Sequence, residues 1–111
     1  MNFGKEPIVM SYVLCILLSY LIGTINPAYI FSKIRGFDIR QKGSGNAGAS
    51  NTLRTLGAKK AVIVLMGDVL KVIVPILVAK MTGIQYPVLI AGTFAVIGHA
   101  KPIFYGFKGG K

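Results

Sequence analysis

The residues Gly43-Ser44-Gly45-Asn46-Ala47-Gly48-Ala49-Ser50-Asn51-Thr52-Leu53-Arg54 form the stretch best equipped for chemistry. Gly43, Gly45 and Gly48 place three glycines within six residues. Glycine tolerates φ > 0 and lets the backbone approach a ligand closely. Ser44, Asn46, Ser50 and Asn51 add small donors and acceptors, and Arg54 adds a permanent planar cation suited to phosphate. Lys42 stands just before the run. A loop of backbone N–H groups flanked by fixed positive charge is an anion cradle, best matched to phosphate.

Two nucleotide-binding patterns also fit these glycines, and both fail on context. The frame G-x-G-x-x-G is satisfied, and Asp68 follows about twenty residues on, as in a dinucleotide fingerprint. That fingerprint needs a buried strand before it, whereas residues 33–42 are basic and broken. A Walker A frame is present too, but Ala49-Ser50 stands where Lys-Ser or Lys-Thr is required. A flexible linker would be richer in interchangeable Gly and Ser and would not need two Asn and an Arg.

A second cationic cluster lies near the end of the sequence. Lys108-Gly109-Gly110-Lys111 brackets two permissive glycines with two ammoniums, a second compact anion site. Phe104, Tyr105 and Phe107 before it suit a membrane–water interface. His99 precedes them, and a lone interfacial His is more often structural than catalytic. Between the clusters, Asp68 and Lys71 are spaced i, i+3, so they share a helix face and can pair. The plain reading is an ion pair that orients its helix. The functional reading sets Asp68 or Lys71 at the wall of the same site.

The elements that must position these groups are apolar. Of 111 residues 53% are hydrophobic and 14% charged, with a mean hydropathy of +0.64. A soluble domain of that composition could not cover its core. The net charge of +10 admits a nucleic-acid footprint or the cytoplasmic side of a membrane protein, and the long apolar runs decide for the second. No nucleic-acid partner is expected. Cys15 is a lone residue in an apolar stretch, so no intrachain disulfide or Cys-based metal site is expected. One His and three acids make no metal-ligand cluster.

The expected fold is all-α and membrane-integral, one domain of about three transmembrane helices with cytoplasmic Gly-rich loops, the spans near residues 8–32, 57–81 and 84–100. The first run is longer than a signal-peptide core and lacks a convincing cleavage site. Ser19, Gly23 and Asn26-Pro27 predict close packing and a break near its exit. Residues 33–60 form the first loop, with seven Lys or Arg against Asp38 alone. That excess assigns the loop to the cytoplasm and the N-terminus to the outside.

The motifs together resemble a known family, the acyl-phosphate-dependent glycerol-3-phosphate acyltransferases of bacterial membranes. Gly43 to Arg54 is similar to the family's G-S-G-N-x-G-A-T-N-x-x-R, with Ser50 in place of Thr. Asp68 to Lys71 is similar to D-x-x-K-G, with Val72 in place of Gly. Gly98-His99, Pro102, Phe104 and Phe107 to Lys111 look like the opening of G-H-x-x-P-x-F…F-K-G-G-K-G. The family's second motif continues past that point, and a third motif with His and Asn follows, so the resemblance is to the N-terminal half.

The resemblance implies transfer of an acyl group from acyl phosphate to the 1-hydroxyl of glycerol 3-phosphate, giving 1-acyl-glycerol 3-phosphate and phosphate. It implies no cofactor and no metal, with membrane lipid around the protein and a homodimer left open. Ser44, Asn46 and Arg54 would be catalytic. Gly43, Gly45, Gly48, Asn51, Lys108, Gly109, Gly110 and Lys111 would bind substrate, with Asp68, Lys71 and His99 as further candidates. The competing reading is a non-enzymatic remnant or small membrane protein that binds anionic lipid through its basic loops.

Overall fold

A computed structural model describes residues 9–102. All regular structure among the described residues is helical: α1 Val9–Gly23, α2 Pro27–Ile34, a 3-10 turn Ile39–Gln41, α3 Ala49–Leu56, α4 Ala58–Thr82 and α5 Pro87–Ala100. The first apolar run is therefore interrupted. Thr24 to Asn26 break it, Asn26 caps α2, and Pro27 takes the first-turn position where its missing N–H costs nothing. The basic loop expected over residues 33–60 contains the 3-10 turn and α3, and α4 has begun by Ala58.

α4 shows which environment the fold is built for. Its buried residues, Ala61, Val64, Lys71, Pro75 and Ala79, recur at helical spacing and are small or polar. Its large apolar residues, among them Leu65, Met66, Val69, Leu70 and Leu77, face outward. A water-soluble helix has the opposite arrangement. The segments Val9–Ile34 and Ala58–Thr82 are each long and apolar enough to cross a bilayer, with mean hydropathies of 1.8 and 2.5. α5 is apolar but only 14 residues long.

Close packing depends on glycine at two crossings of α1 and α5. A Cβ at Gly23 would run into the backbone carbonyl of Ala95, and one at Gly98 into the carbonyl of Tyr20. Buried Cys15, Ala79, Ile84 and Ala91 form one core among α1, α4 and α5. Buried Ala28, Ile39, Ala47 and Val64 form a second, beneath the glycine-rich stretch. Tyr20 Oη donates to the Lys101 carbonyl at 2.6 Å and ties α1 to the end of α5.

Gly98→Ala is expected to force α1 and α5 apart and to cost about 1–3 kcal/mol, as overpacking does. Gly92→Ala is the control. Its Cβ would make only an ordinary 3.5 Å contact with Ile76, so the gain in helix propensity is expected to leave stability level or higher. Thermal unfolding of both variants in one detergent checks the pair.

Candidate functional site

The glycine-rich stretch is not one loop. Lys42 to Gly45 close a tight turn, residues 46–47 run on irregularly, and α3 begins at Ala49 with Gly48 as its N-cap. Gly43 and Gly45 both have positive φ, at 57° and 77°. Gly43 is required twice over, because a Cβ there would also collide with Asn51 Oδ1. Gly48 offers no side-chain cap, so the first amides of α3 have no acceptor within the helix. They carry the positive end of the helix dipole. Ser44 and Arg54 are exposed beside them, and the Arg54 Cδ lies 3.3 Å from where a Gly43 Cβ would be. Ser44 Oγ accepts from the Asn46 amide at 3.4 Å.

The turn is held by amide side chains from beneath. Asn51 is 1% exposed. Its Oδ1 accepts from the Ser44 amide at 3.1 Å, and its Nδ2 donates to the carbonyls of Ile39 and Lys42 at 3.0 and 2.9 Å. The sequence reading places Asn51 on the substrate. The structure turns it inward, where it closes the turn. Ser32, also buried, donates to the Tyr29 carbonyl at 2.9 Å and accepts from the Ile39 amide at 3.0 Å. Asn26 donates to the Ala47 carbonyl at 3.2 Å across 21 residues.

Around the turn, cations rest on aromatic faces. Lys33 and Arg40 lie 5.9 and 4.9 Å from the Tyr29 ring, Lys42 lies 5.3 Å from Phe37, and Lys60 lies 4.9 Å from Phe31. Such contacts hold long side chains in place while leaving the charge near the surface. Asp38 caps the 3-10 turn by accepting from the Arg40 amide, and the Arg40 guanidinium grips its carboxylate at 2.7 Å. That hydrogen bond holds the Asp38 carboxyl below its ordinary value. The stabilisation is therefore complete above about pH 4 and is lost as pH falls through the lowered value.

A second polar group sits inside the helices. The Lys71 ammonium is 2.9 Å from Asp68 Oδ1, one turn away, so the expected pair forms. That carboxylate oxygen is buried, and the Lys71 ammonium is the charge that compensates it. Lys71 also donates to the Ile25 carbonyl at 2.8 Å and lies 2.7 Å from His99 Nδ1. An ammonium has only protons to offer. With Lys71 charged, His99 Nδ1 accepts and a neutral ring carries its proton on Nε2. His99 and Asp68 are 3.8 Å apart with Lys71 between them.

Sequence reasoning pairs Asp68 with Lys71 and sets His99 apart as a lone interfacial residue; the structure brings all three together. Sequence reasoning places Asn26 at the helix break but does not find its bond to Ala47, 21 residues on, nor the bond from the Ile39 amide to Ser32. Lys108, Gly109, Gly110 and Lys111, with Phe104, Tyr105 and Phe107, lie outside the described residues.

With this geometry in view, comparison with known proteins is direct. The family model for glycerol-3-phosphate acyltransferase matches residues 13–111. The glycerol-3-phosphate acyltransferase of Thermoanaerobacter sp. (strain X514) is 50% identical over 103 residues, covering 92% of this chain and 52% of its own length. That of Bacillus subtilis (strain 168) is 47% identical over 103 residues, covering 92% and 53%. The crystal structure of PlsY (YgiH), an integral membrane glycerol 3-phosphate acyltransferase, in its glycerol 3-phosphate form superposes with a TM-score of 0.82 at 41% identity, covering 90% of this chain and 51% of that one. Its lysophosphatidic acid form gives a TM-score of 0.79 at 40% identity, covering 90% and 50%. The chain spans about half the length of the curated relatives it matches.

Asn51→Ala is expected to destabilise the chain by about 1–3 kcal/mol, since it strands the buried Ile39 carbonyl and removes the partner of the part-buried Ser44 amide and Lys42 carbonyl. Arg54→Ala, on the exposed side of α3, is expected to leave the unfolding midpoint within about 0.5 kcal/mol of the parent. Thermal unfolding separates the two.

Proposed function

The chain belongs to the glycerol-3-phosphate acyltransferase family, and from that premise we propose that it carries the acyl-donor half of a membrane acyltransferase site. The donor is acyl phosphate and the acceptor is the 1-hydroxyl of glycerol 3-phosphate. The observation that carries this reading is the glycine-rich stretch from Gly43 to Gly48 leading into the uncapped start of α3, with Arg54 beside it. Fixed amides at a helix start and a guanidinium suit a phosphate group.

In the proposed reaction the glycerol hydroxyl oxygen bonds to the acyl carbonyl carbon. The bond from that carbon to the bridging phosphate oxygen breaks, and the hydroxyl proton ends on the released phosphate. Acyl phosphate is already activated, so the protein chiefly positions two anions and stabilises the developing oxyanion and the leaving phosphate. Ser44, Asn46 and Arg54 act on the donor and the transition state. Gly43, Gly45 and Gly48 permit the close approach, and Asn51 holds them in register. Lys108, Gly109, Gly110 and Lys111 hold glycerol 3-phosphate, a role that rests on the family resemblance. His99, presenting Nε2–H, is a donor rather than a base, and Lys71 with Asp68 sets its orientation.

The same reading gives the topology. α1, α4 and α5 cross the cell membrane, the N-terminus is outside, and the turn faces the cytoplasm, where the excess of Lys and Arg lies. The soluble substrate then meets the lipid-tailed one at the inner interface.

Labelled glycerol 3-phosphate and a long-chain acyl phosphate, supplied to membranes of a host lacking its own such enzyme, test the proposal. Expected is labelled 1-acyl-glycerol 3-phosphate that falls at least about a hundredfold with Ser44→Ala, the scale of losing one transition-state donor. Product unchanged by Ser44→Ala overturns the site assignment. No product, with the chain present in the membrane, favours the alternative of a non-enzymatic protein that binds anionic lipid.

A further inference from the structure

Asn26 occupies the break between α1 and α2 and is 3% exposed. Its side chain makes two different bonds. Oδ1 accepts from the Tyr29 amide at 3.0 Å, which is ordinary helix capping. Nδ2 donates to the Ala47 carbonyl at 3.2 Å, which capping does not require. Asp, Ser or Thr would cap α2 as well, and none of them has a side-chain donor reaching from the same place. Ala47 is itself 1% exposed, so no water substitutes for the bond.

The consequence follows from peptide geometry. The Ala47 carbonyl and the Gly48 N–H belong to one rigid plane. Pinning the carbonyl fixes the direction of the Gly48 N–H and the entry into α3, whose N-cap is Gly48. On the other side, the Ile25 carbonyl and the Asn26 N–H share a plane, and that carbonyl is held by the Lys71 ammonium at 2.8 Å. Two consecutive anchors thus run from the buried Lys71 group, through the helix break, to the glycine-rich turn. Among the described residues, the hydrogen bonds of the Asn26 side chain go to Ala47 and Tyr29, neither of which is assigned to substrate.

We propose that Asn26 is a positioning residue that sets the Ala47–Gly48 peptide of the anion-binding turn, braced from behind by Lys71 through the Ile25 carbonyl. This rests on the reading that the turn holds the acyl donor's phosphate. Asn26→Ser separates the two functions of the side chain. Serine caps a helix as well as asparagine does, but it is too short to reach Ala47. Asn26→Asp keeps length and cap while setting an oxygen against the Ala47 carbonyl.

The test combines acyl-transfer kinetics with amide hydrogen exchange on the protein in its membranes. For Asn26→Ser, KM for acyl phosphate is expected to rise about three- to tenfold, the scale of one hydrogen bond, with KM for glycerol 3-phosphate unchanged. Exchange is expected to quicken at the Thr52 amide, which bonds to the Gly48 carbonyl, while the Tyr29 and Ile30 amides of α2 keep their protection. Asn26→Asp is expected to move both readouts in the same direction. Exchange at Thr52 unchanged in both variants overturns the proposal, whatever the activity. Loss of protection at Tyr29 and Ile30 together with Thr52 also overturns it, since Asn26 would then be a cap alone. Failure of the functional reading is seen separately, as absence of transfer by the parent chain alongside the expected exchange pattern.

Discussion

A charged nitrogen buried in an apolar helix has to find acceptors, and the arrangement of this chain follows from where Lys71 finds them. Lys71 is 6% exposed, and its ammonium meets Asp68 on its own helix, the Ile25 carbonyl at the α1–α2 break, and His99 on α5. Removing a charge from water costs several kcal/mol unless it is paired. All three contacts must therefore form together, and they bring α1, α4 and α5 to one point. The close crossings at Gly23 and Gly98 lie beside that point. Pro75, one turn on, cannot donate to the Lys71 carbonyl and locally loosens the helix there.

From that node the order passes outward to the turn. The helix break frees the Ile25 carbonyl for Lys71 and the Asn26 side chain for Ala47. Asn51 and Ser32 then close the turn from below, using backbone groups that a short irregular segment would otherwise leave unpaired. The buried amides supply shape, while Ser44 and Arg54 stay exposed at the turn. The division accounts for the unusual composition of the stretch. Gly43 meets a steric limit set by Asn51, and the Asn51 side chain is spent on the scaffold.

Much of this was legible in the sequence. The apolar runs marked the long helices, because lipid-facing residues need no periodicity to be recognised. The Asp68–Lys71 pair was legible because helical spacing alone brings i and i+3 together. Cys15, a lone cysteine in an apolar run, packs as a small core residue, 5% exposed. The start of α3 was not legible. Ala49 to Leu56 mixes Ser, Asn and Thr, which compete for backbone bonds, and the helix is secured by packing against α4. The inward turn of Asn51 was also hidden, since its partners Ile39 and Lys42 lie 12 and 9 residues away in irregular chain. The meeting of Lys71 with His99, 28 residues apart, depends on how α4 and α5 cross, which no spacing encodes.

The most direct test of the account is a titration of the chain, labelled with nitrogen-15 at Gly, Ala, Ser and Asn, with a non-hydrolysable acyl phosphonate, followed by amide chemical shifts. The account predicts saturable shifts centred on Gly48, Ala49, Ser50 and Asn51 that persist when salt is raised. Shifts confined to the surface lysines and abolished by salt, or none in the turn at all, would contradict it.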